Sequence, residues 1–157
     1  MKRWKKWEMA LLLGLCAALI WGAWAAQRQD ALAQKMIRLH VIANSDSDAD
    51  QALKLKVRDK VLDFTTNVLQ RSENMEDAQR QLQDALGRIE NIALREIVDQ
   101  GYEYSVTAQL TSAEFPLKEY DGFSLPAGEY TALRLVIGDG AGRNWCCLLY
   151  TSDAADE

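Results

Sequence analysis

Once an N-terminal targeting segment is set aside, a chain of 157 residues leaves roughly 130, enough for one domain around one core and too few for two. Formal charge is -5, yet residues 1–26 carry +3 (Lys2, Arg3, Lys5 and Lys6 against Glu8), so the rest of the chain carries -8. A body this acidic is repelled by phosphate backbones, and no basic stripe interleaved with aromatics follows Arg3, which argues against nucleic acid as a partner.

The chain opens MKRWKKWE and then runs without a charge from Met9 to Ala26. A basic flank, an apolar run and Ala23-Trp24-Ala25 in the small-x-small arrangement describe a secretory signal, with cleavage between Ala25 and Ala26. The same run sits at the margin of what spans a bilayer core of about 30 Å, so an uncleaved membrane anchor is the alternative. Either way the basic flank stays cytoplasmic and the acidic body is exported. Cys16 follows Leu15, where a lipidation site needs a small residue, and reads as one more apolar position. Residues 27–35 are polar and alanine-rich, a linker.

Ile37, Leu39 and Val41 alternate with Arg38, His40 and Ile42, which predicts a half-buried strand over residues 36–43. Asp46, Asp48 and Asp50 then stand at alternate positions, as at the start of a calcium loop. Gln51 occupies the place of the required glycine, however, and Val57 that of the bidentate glutamate. A helix N-terminus explains the same residues: Ser47 or Asp48 caps it, Gln51 follows Asp48 by three as in a capping box, and the carboxylates complement the helix dipole. The helix is expected over residues 49–69, with Leu53, Val57, Val61, Phe64 and Val68 facing a sheet. Leu55, Leu62 and Leu69 recur every seven residues on the opposite side, which predicts a helix covered twice.

A second helix begins at Ser72 or Asn74. Met75, Ala78, Leu82, Ala85, Ile89 and Ala93 form its stripe, widened by Ile92, Ile97 and Val98, and Gly101 ends it in a left-handed cap. Strand patterns follow. Tyr104, Val106, Ala108 and Leu110 alternate, Phe115-Pro116 leads to a turn at Asp121-Gly122, and Leu125-Pro126-Ala127-Gly128 makes another. In residues 129–138 Leu133, Leu135 and Ile137 share one face, and Tyr130, Ala132, Arg134 and Val136 the other. Arg134 therefore calls for an edge position or an acidic partner. Gly138, Gly140 and Gly142 make a flexible turn without the spacing of a phosphate loop. Residues 144–150 form a last strand, and residues 151–157 a polar, disordered tail. Adjacent Cys146 and Cys147 rarely close a relaxed disulfide, and the cysteines do not fix a redox compartment.

The expected fold is α+β: a small antiparallel or mixed sheet of three to four strands, covered on one face by two helices, after an N-terminal signal or anchor segment. Residues 1–26 are the signal or anchor, 27–35 the linker, 36–150 a single domain and 151–157 the tail. His40 is the only histidine, which excludes a histidine-rich metal site unless a carboxylate or thiolate completes it, and no cofactor site is evident. Beside Ser45, Asp46 or Asp48 it could form an acid–base or nucleophilic set, so a small exported hydrolase is one alternative and a membrane-tethered structural protein another. A lone histidine on a strand is more often a packed residue, and no catalytic residue, metal ligand or small-molecule substrate is assigned. Binding is carried by the spare leucine stripe, the loop at residues 126–129 and Trp145.

The stretch RLHVIANSDSDADQALKLKVRDKVL, with LPAGEYTALRLVIGDGAGRNWCC downstream, resembles the stage II sporulation protein R family of endospore-forming Gram-positive bacteria. The resemblance covers residues 36–146. It implies a signalling protein rather than an enzyme, exported from the forespore into the intermembrane space. There it would activate a membrane-embedded aspartic protease that processes the sigma-E precursor. The expected partner contacts are Asn44, Ser45 and Asp46 at the strand–helix junction, Glu129 and Arg134 near the glycine turn, and Asn144 and Trp145. Family members continue after the tryptophan–cysteine segment with an aromatic, proline-containing end that holds another cysteine. Here Cys147 is followed by LLYTSDAADE, so the resemblance implies a missing or replaced C-terminus that leaves Cys146 without its disulfide partner.

Overall fold

The computed structural model describes residues 2–120 and 123–152. The turn expected at Asp121-Gly122, and the tail after Ser152, lie outside the described residues.

The first element, α1 (Lys2–Ala33), continues as helix through the stretch expected to be a linker. Within it Lys6–Trp24 is apolar enough to cross a membrane and none of it is buried against the rest of the protein. At 1.5 Å per residue its 19 residues reach about 28 Å, close to the thickness of a bilayer core. Trp7, Leu11, Leu13 and Trp21 are fully displayed along it, an apolar surface suited to lipid and not to water.

After α1 come β1 (Met36–Ile42), α2 (Asp48–Leu69), α3 (Met75–Asp99), β2 (Val106–Phe115), β3 (Lys118–Tyr120), β4 (Phe123–Leu125), β5 (Gly128–Ile137) and β6 (Asn144–Thr151). The main sheet has the order β2-β5-β1-β6, and β3 pairs with β4 separately. β5 lies parallel to β1 and antiparallel to β2, and β6 is antiparallel to β1. The sheet is therefore mixed and the fold α+β. β6 runs to Thr151, and the Ser152 amide donates to the Lys35 carbonyl at 3.0 Å, tying the end of the last strand to the start of the first.

Helix starts and stops follow local chemistry. Ser47 caps α2 by accepting from the Asp50 amide at 3.2 Å. Gln51 completes no capping box, because with Ser47 as the cap it falls one position too late; its side chain donates to the Ser45 carbonyl at 2.9 Å instead. Asn74 caps α3. Gly101, at a φ of 84°, ends α3, with the Tyr102 amide donating to Ile97 and the Gly101 amide to Val98.

Both helices cover one face of the sheet. Ile37, Leu39 and Val41 on β1 and Leu133, Leu135 and Ile137 on β5 meet Leu53, Val57 and Val61 of α2 and Leu82, Ile89 and Ile97 of α3 in one core. On α2 the buried line continues through Thr65 and Leu69, whereas Phe64 and Val68 are half-buried. Thr65 is tolerated there because its hydroxyl donates to the Val61 carbonyl at 2.7 Å. The second leucine stripe does not exist as one surface: Leu69 joins the core, Leu62 packs beside it and Leu55 is 39% exposed. The two neighbours of α2, the sheet and α3, cover one contiguous arc of its surface instead of opposite sides. Val98, 59% exposed, likewise does not widen the stripe of α3.

The glycine turn is a tight splice. Gly138 and Gly140 take positive φ, the Gly142 amide donates to the Ala43 carbonyl and the Ala141 amide to Asn44, both at 3.0 Å. A Cβ on Gly142 would collide with the Ser45 carbonyl, whereas one on Gly87, mid-α3, would meet nothing. Gly142→Ala is expected to destabilise the chain by about 1–3 kcal/mol and Gly87→Ala to stabilise it by about 0.5–1 kcal/mol. Urea unfolding of the purified chain in mild detergent checks both, through opposite shifts of the midpoint at constant slope.

Candidate functional site

The junction between β1 and α2 is knotted to the glycine turn. The Asn44 side-chain amide donates to Asp50 Oδ2 at 3.0 Å while its Oδ1 accepts from the Asp139 amide at 3.0 Å. The Ser45 hydroxyl donates to the same Asp50 oxygen at 2.6 Å. Asp50 is buried, and the hydrogen bonds from Ser45 and then Asn44 hold its carboxyl below the usual range. Asp46 Oδ1 accepts from the Arg143 amide at 2.6 Å. Buried Lys54 donates to Gln51 Oε1 at 2.6 Å and to the Arg143 carbonyl at 3.0 Å, and burial lowers its pKa. Asp46 and Asp50 thus serve different partners while Asp48 stays exposed in the first turn of α2, and no group of three metal-ligating side chains forms among the described residues. Of the contacts expected at this junction, Asn44 and Ser45 spend their polar atoms holding it together; Asp46 stays exposed.

Alternation along the strands sends a different set of residues to the face the helices leave open. Arg38 and His40 project there from β1, with Arg134 facing His40 across the parallel pair with β5 and Cys146 facing it from β6. Phe115, Tyr130 and Ala132 make a small second core on this side, joined by Met36, Ala113 and Cys146. Arg38 is 1% exposed, its guanidinium carbon 4.0 Å from the Phe115 ring centroid and 5.2 Å from that of Tyr130. Both rings contact the guanidinium, yet Nε and Nη1 of Arg38, Nε2 of His40 and Nε of Arg134 are buried without hydrogen-bond partners. Arg134 meets neither condition expected of it, since β5 is an interior strand and none of the ion pairs among the described residues includes it. Burial, then the positive charges of Arg134 and Arg38, hold the His40 imidazole below its ordinary pKa of 6.5.

A cavity of about 250 Å³ opens at this spot, lined by Arg38, His40, Glu114, Phe115, Lys118 and Asn144, with Cys146 on its wall. A larger hollow of about 390 Å³, at the C-terminal end of α2, is lined by Thr66, Leu69, Gln70, Ser72, Leu149, Tyr150 and Thr151 and so offers no charged group.

His40 therefore does not join Ser45 or Asp46 in an acid–base set: Ser45 is bound to Asp50, Asp46 to Arg143, and the charges acting on the imidazole are cations. Glu129 stands at the start of β5, accepting from the Ser112 hydroxyl at 2.7 Å, eight residues along the strand from Ile137 beside the glycine turn. Trp145 belongs to the helix side of β6, with the Arg58 guanidinium 4.4 Å above its ring, and also borders the cavity. Cys146 and Cys147 are free thiols on opposite faces of β6. Burial raises both, Cys147 to about 11, so neither is an activated nucleophile. Sequence reasoning missed Arg38, Glu114, Phe115 and Lys118. The one available signal was Arg38 sharing an off-core parity with His40 on an otherwise apolar strand; the approach of Phe115 is a long-range contact with no local trace.

The family model of stage II sporulation protein R (spore_II_R) matches residues 33–152. Stage II sporulation protein R of Bacillus subtilis (strain 168) is 38% identical over 114 residues, which is 73% of this chain and 51% of that protein. The chain spans about half the length of the curated relative it matches. No solved structure matches.

Two consequences of this geometry can be measured. Asp50→Asn is expected to cost about 1–3 kcal/mol, since a neutral amide loses the charge that strengthens the hydrogen bonds accepted from Asn44 and Ser45 and brings donors of its own into a buried site; Asp48→Asn, at an exposed position, should leave the urea midpoint nearly unchanged. For His40, the folded pKa lies below the unfolded one, so the unfolded chain binds more protons between the two values. The stability this residue contributes is complete above pH 6.5 and is lost as pH falls toward the folded pKa. The urea midpoint should drop from pH 7.5 to 5.5, and His40→Gln, in a chain with no other histidine, should narrow that drop; an unchanged drop would refute the assignment.

Proposed function

The chain belongs to the stage II sporulation protein R family, and from that premise we propose that it is an exported signalling protein of endospore formation that works by binding and not by catalysis. In this reading the acidic domain is delivered from the forespore into the intermembrane space. There it activates a membrane-embedded aspartic protease, which then processes the sigma-E precursor.

The observation that carries the reading is the division of the molecule. A basic N-terminal flank and a wholly exposed apolar helix, Lys6–Trp24, precede a folded domain whose charge is strongly negative. This is the pattern of a polypeptide translocated behind a signal or anchor, with the positive residues retained on the cytoplasmic side. We place the cleavage point, where cleavage occurs, between Ala25 and Ala26, and assign signalling to residues 36–150.

The proposed partner surface starts at the exposed junction. Asp46 and Asn144 flank Arg143 there, with Asn44 and Ser45 fixing the backbone beneath them and Trp145 beside them. Arg134 contributes from the open face of the sheet. Glu129 lies about 26 Å along β5 from the glycine turn, so it shares this surface with a partner that follows the length of the strand. The binding reading is supported by the same geometry that leaves His40 surrounded by cations and Ser45 and Asp46 occupied in structural hydrogen bonds.

Co-expression of this chain with the protease and the sigma-E precursor, in a host that does not sporulate, tests the proposal. Precursor processing is expected only when the chain is present and exported; processing that proceeds equally without it overturns the signalling role. Mass spectrometry of the exported form decides between release and tethering, a mature N-terminus at Ala26 marking release.

A further inference from the structure

We propose that the cavity on the open face of the sheet is a receptor for a carboxylate, with Arg38 as its principal donor. Its floor is built for an anion. Arg38 is buried against the Phe115 and Tyr130 rings, and its Nε and Nη1 have no hydrogen-bond partner. His40 lines the same cavity with a buried, unpartnered Nε2. Arg134 adds a second positive charge from the neighbouring strand position, again with an unpartnered Nε, and Lys118 a third at the mouth.

Shape and charge select the class of anion. A guanidinium presents its N–H donors in one plane, which matches the planar carboxylate group better than a tetrahedral phosphate, and contact with the Phe115 and Tyr130 rings holds Arg38 in place. Glu114 stands on the cavity wall and offsets part of the positive charge, which favours a monoanion over a dianion. The Phe115 ring lines the same space and suits the aliphatic part of such a ligand. The carboxylate could be that of a free small acid or of an acidic side chain on a polypeptide, and the two share this chemistry. The inference does not depend on the protease partner, because it concerns a site wholly within this chain.

The test follows the His40 ring resonances by NMR in the full chain, held in mild detergent at constant ionic strength. The probes are sodium acetate and a blocked acetyl-aspartyl-amide, with chloride and sulfate as controls. Saturable shifts with either carboxylate are expected; tighter binding of the blocked aspartate points to a polypeptide source, and equal or tighter binding of acetate to a free acid. Arg38→Lys, which keeps the charge and loses the planar fork, should weaken binding by about tenfold. Glu114→Gln should tighten it and Lys118→Gln loosen it, and these two changes at the cavity wall keep the proposal testable if Arg38→Lys does not fold. Absence of saturable shifts, the same shifts with chloride and sulfate, or an affinity indifferent to all three substitutions overturns it.

Discussion

The parallel pairing of β1 with β5 is the constraint from which the rest of this architecture follows. Two parallel neighbours cannot be joined by a hairpin; the chain must leave one end of the sheet and return to the other. Here the return takes α2, α3, β2 and the small β3–β4 pair, so everything between residues 43 and 128 is in effect one crossover. Because α2 and α3 are joined by a short turn and lie side by side, both settle on the same face. β2 then returns as an antiparallel neighbour of β5, and β6 closes the other edge against β1.

A sheet covered on one side has two faces with different chemistry. Toward the helices the interior is apolar, and the alanines of α3, Ala78, Ala85 and Ala93, carry no bulk, so that helix can approach closely. On the open face the same strands carry Arg38, His40 and Arg134, charge and hydrogen-bonding capacity that would be intolerable inside the main core. Their burial is made bearable by Phe115 and Tyr130, whose ring faces attract a guanidinium. The rings do nothing for the N–H edges, and the arginines next to His40 in turn favour its neutral form. The chemical character of the cavity is therefore a consequence of which face the crossover left uncovered.

Much of this frame was legible in the residues. Period-two alternation located β1 and β5, the 3.6-residue stripe of α3 was correct from Ala78 to Ala93, and Gly101 marked its end for the reason that only a residue at ease with positive φ fits there. The aspartates after Asn44 were readable as helix-start chemistry. Pairing was not readable. Whether β5 is an edge or an interior strand decides the environment of Arg134, and no local pattern encodes that neighbour. The heptad of leucines on α2 misled for a related reason: spacing gives the angle of a side chain about its own axis, but the packing partners decide which angles are buried. The cavity was invisible because Phe115 and Lys118 reach Arg38 from more than seventy residues away.

Asn144 joins the two parts of the molecule that the sequence treats separately. The residue before it, Arg143, is fixed by Asp46 through its amide and by Lys54 through its carbonyl, at the junction of β1 and α2. Asn144 itself borders the cavity, and two positions further on Cys146 does the same. β6 is an edge strand paired with β1 alone, and it is held further by the anchor at Arg143, the Arg58–Trp145 contact and the Ser152–Lys35 hydrogen bond at its end. Junction and cavity therefore share the start of β6: the hydrogen bonds that fix Arg143 at the junction also set where Asn144 and Cys146 stand at the cavity wall.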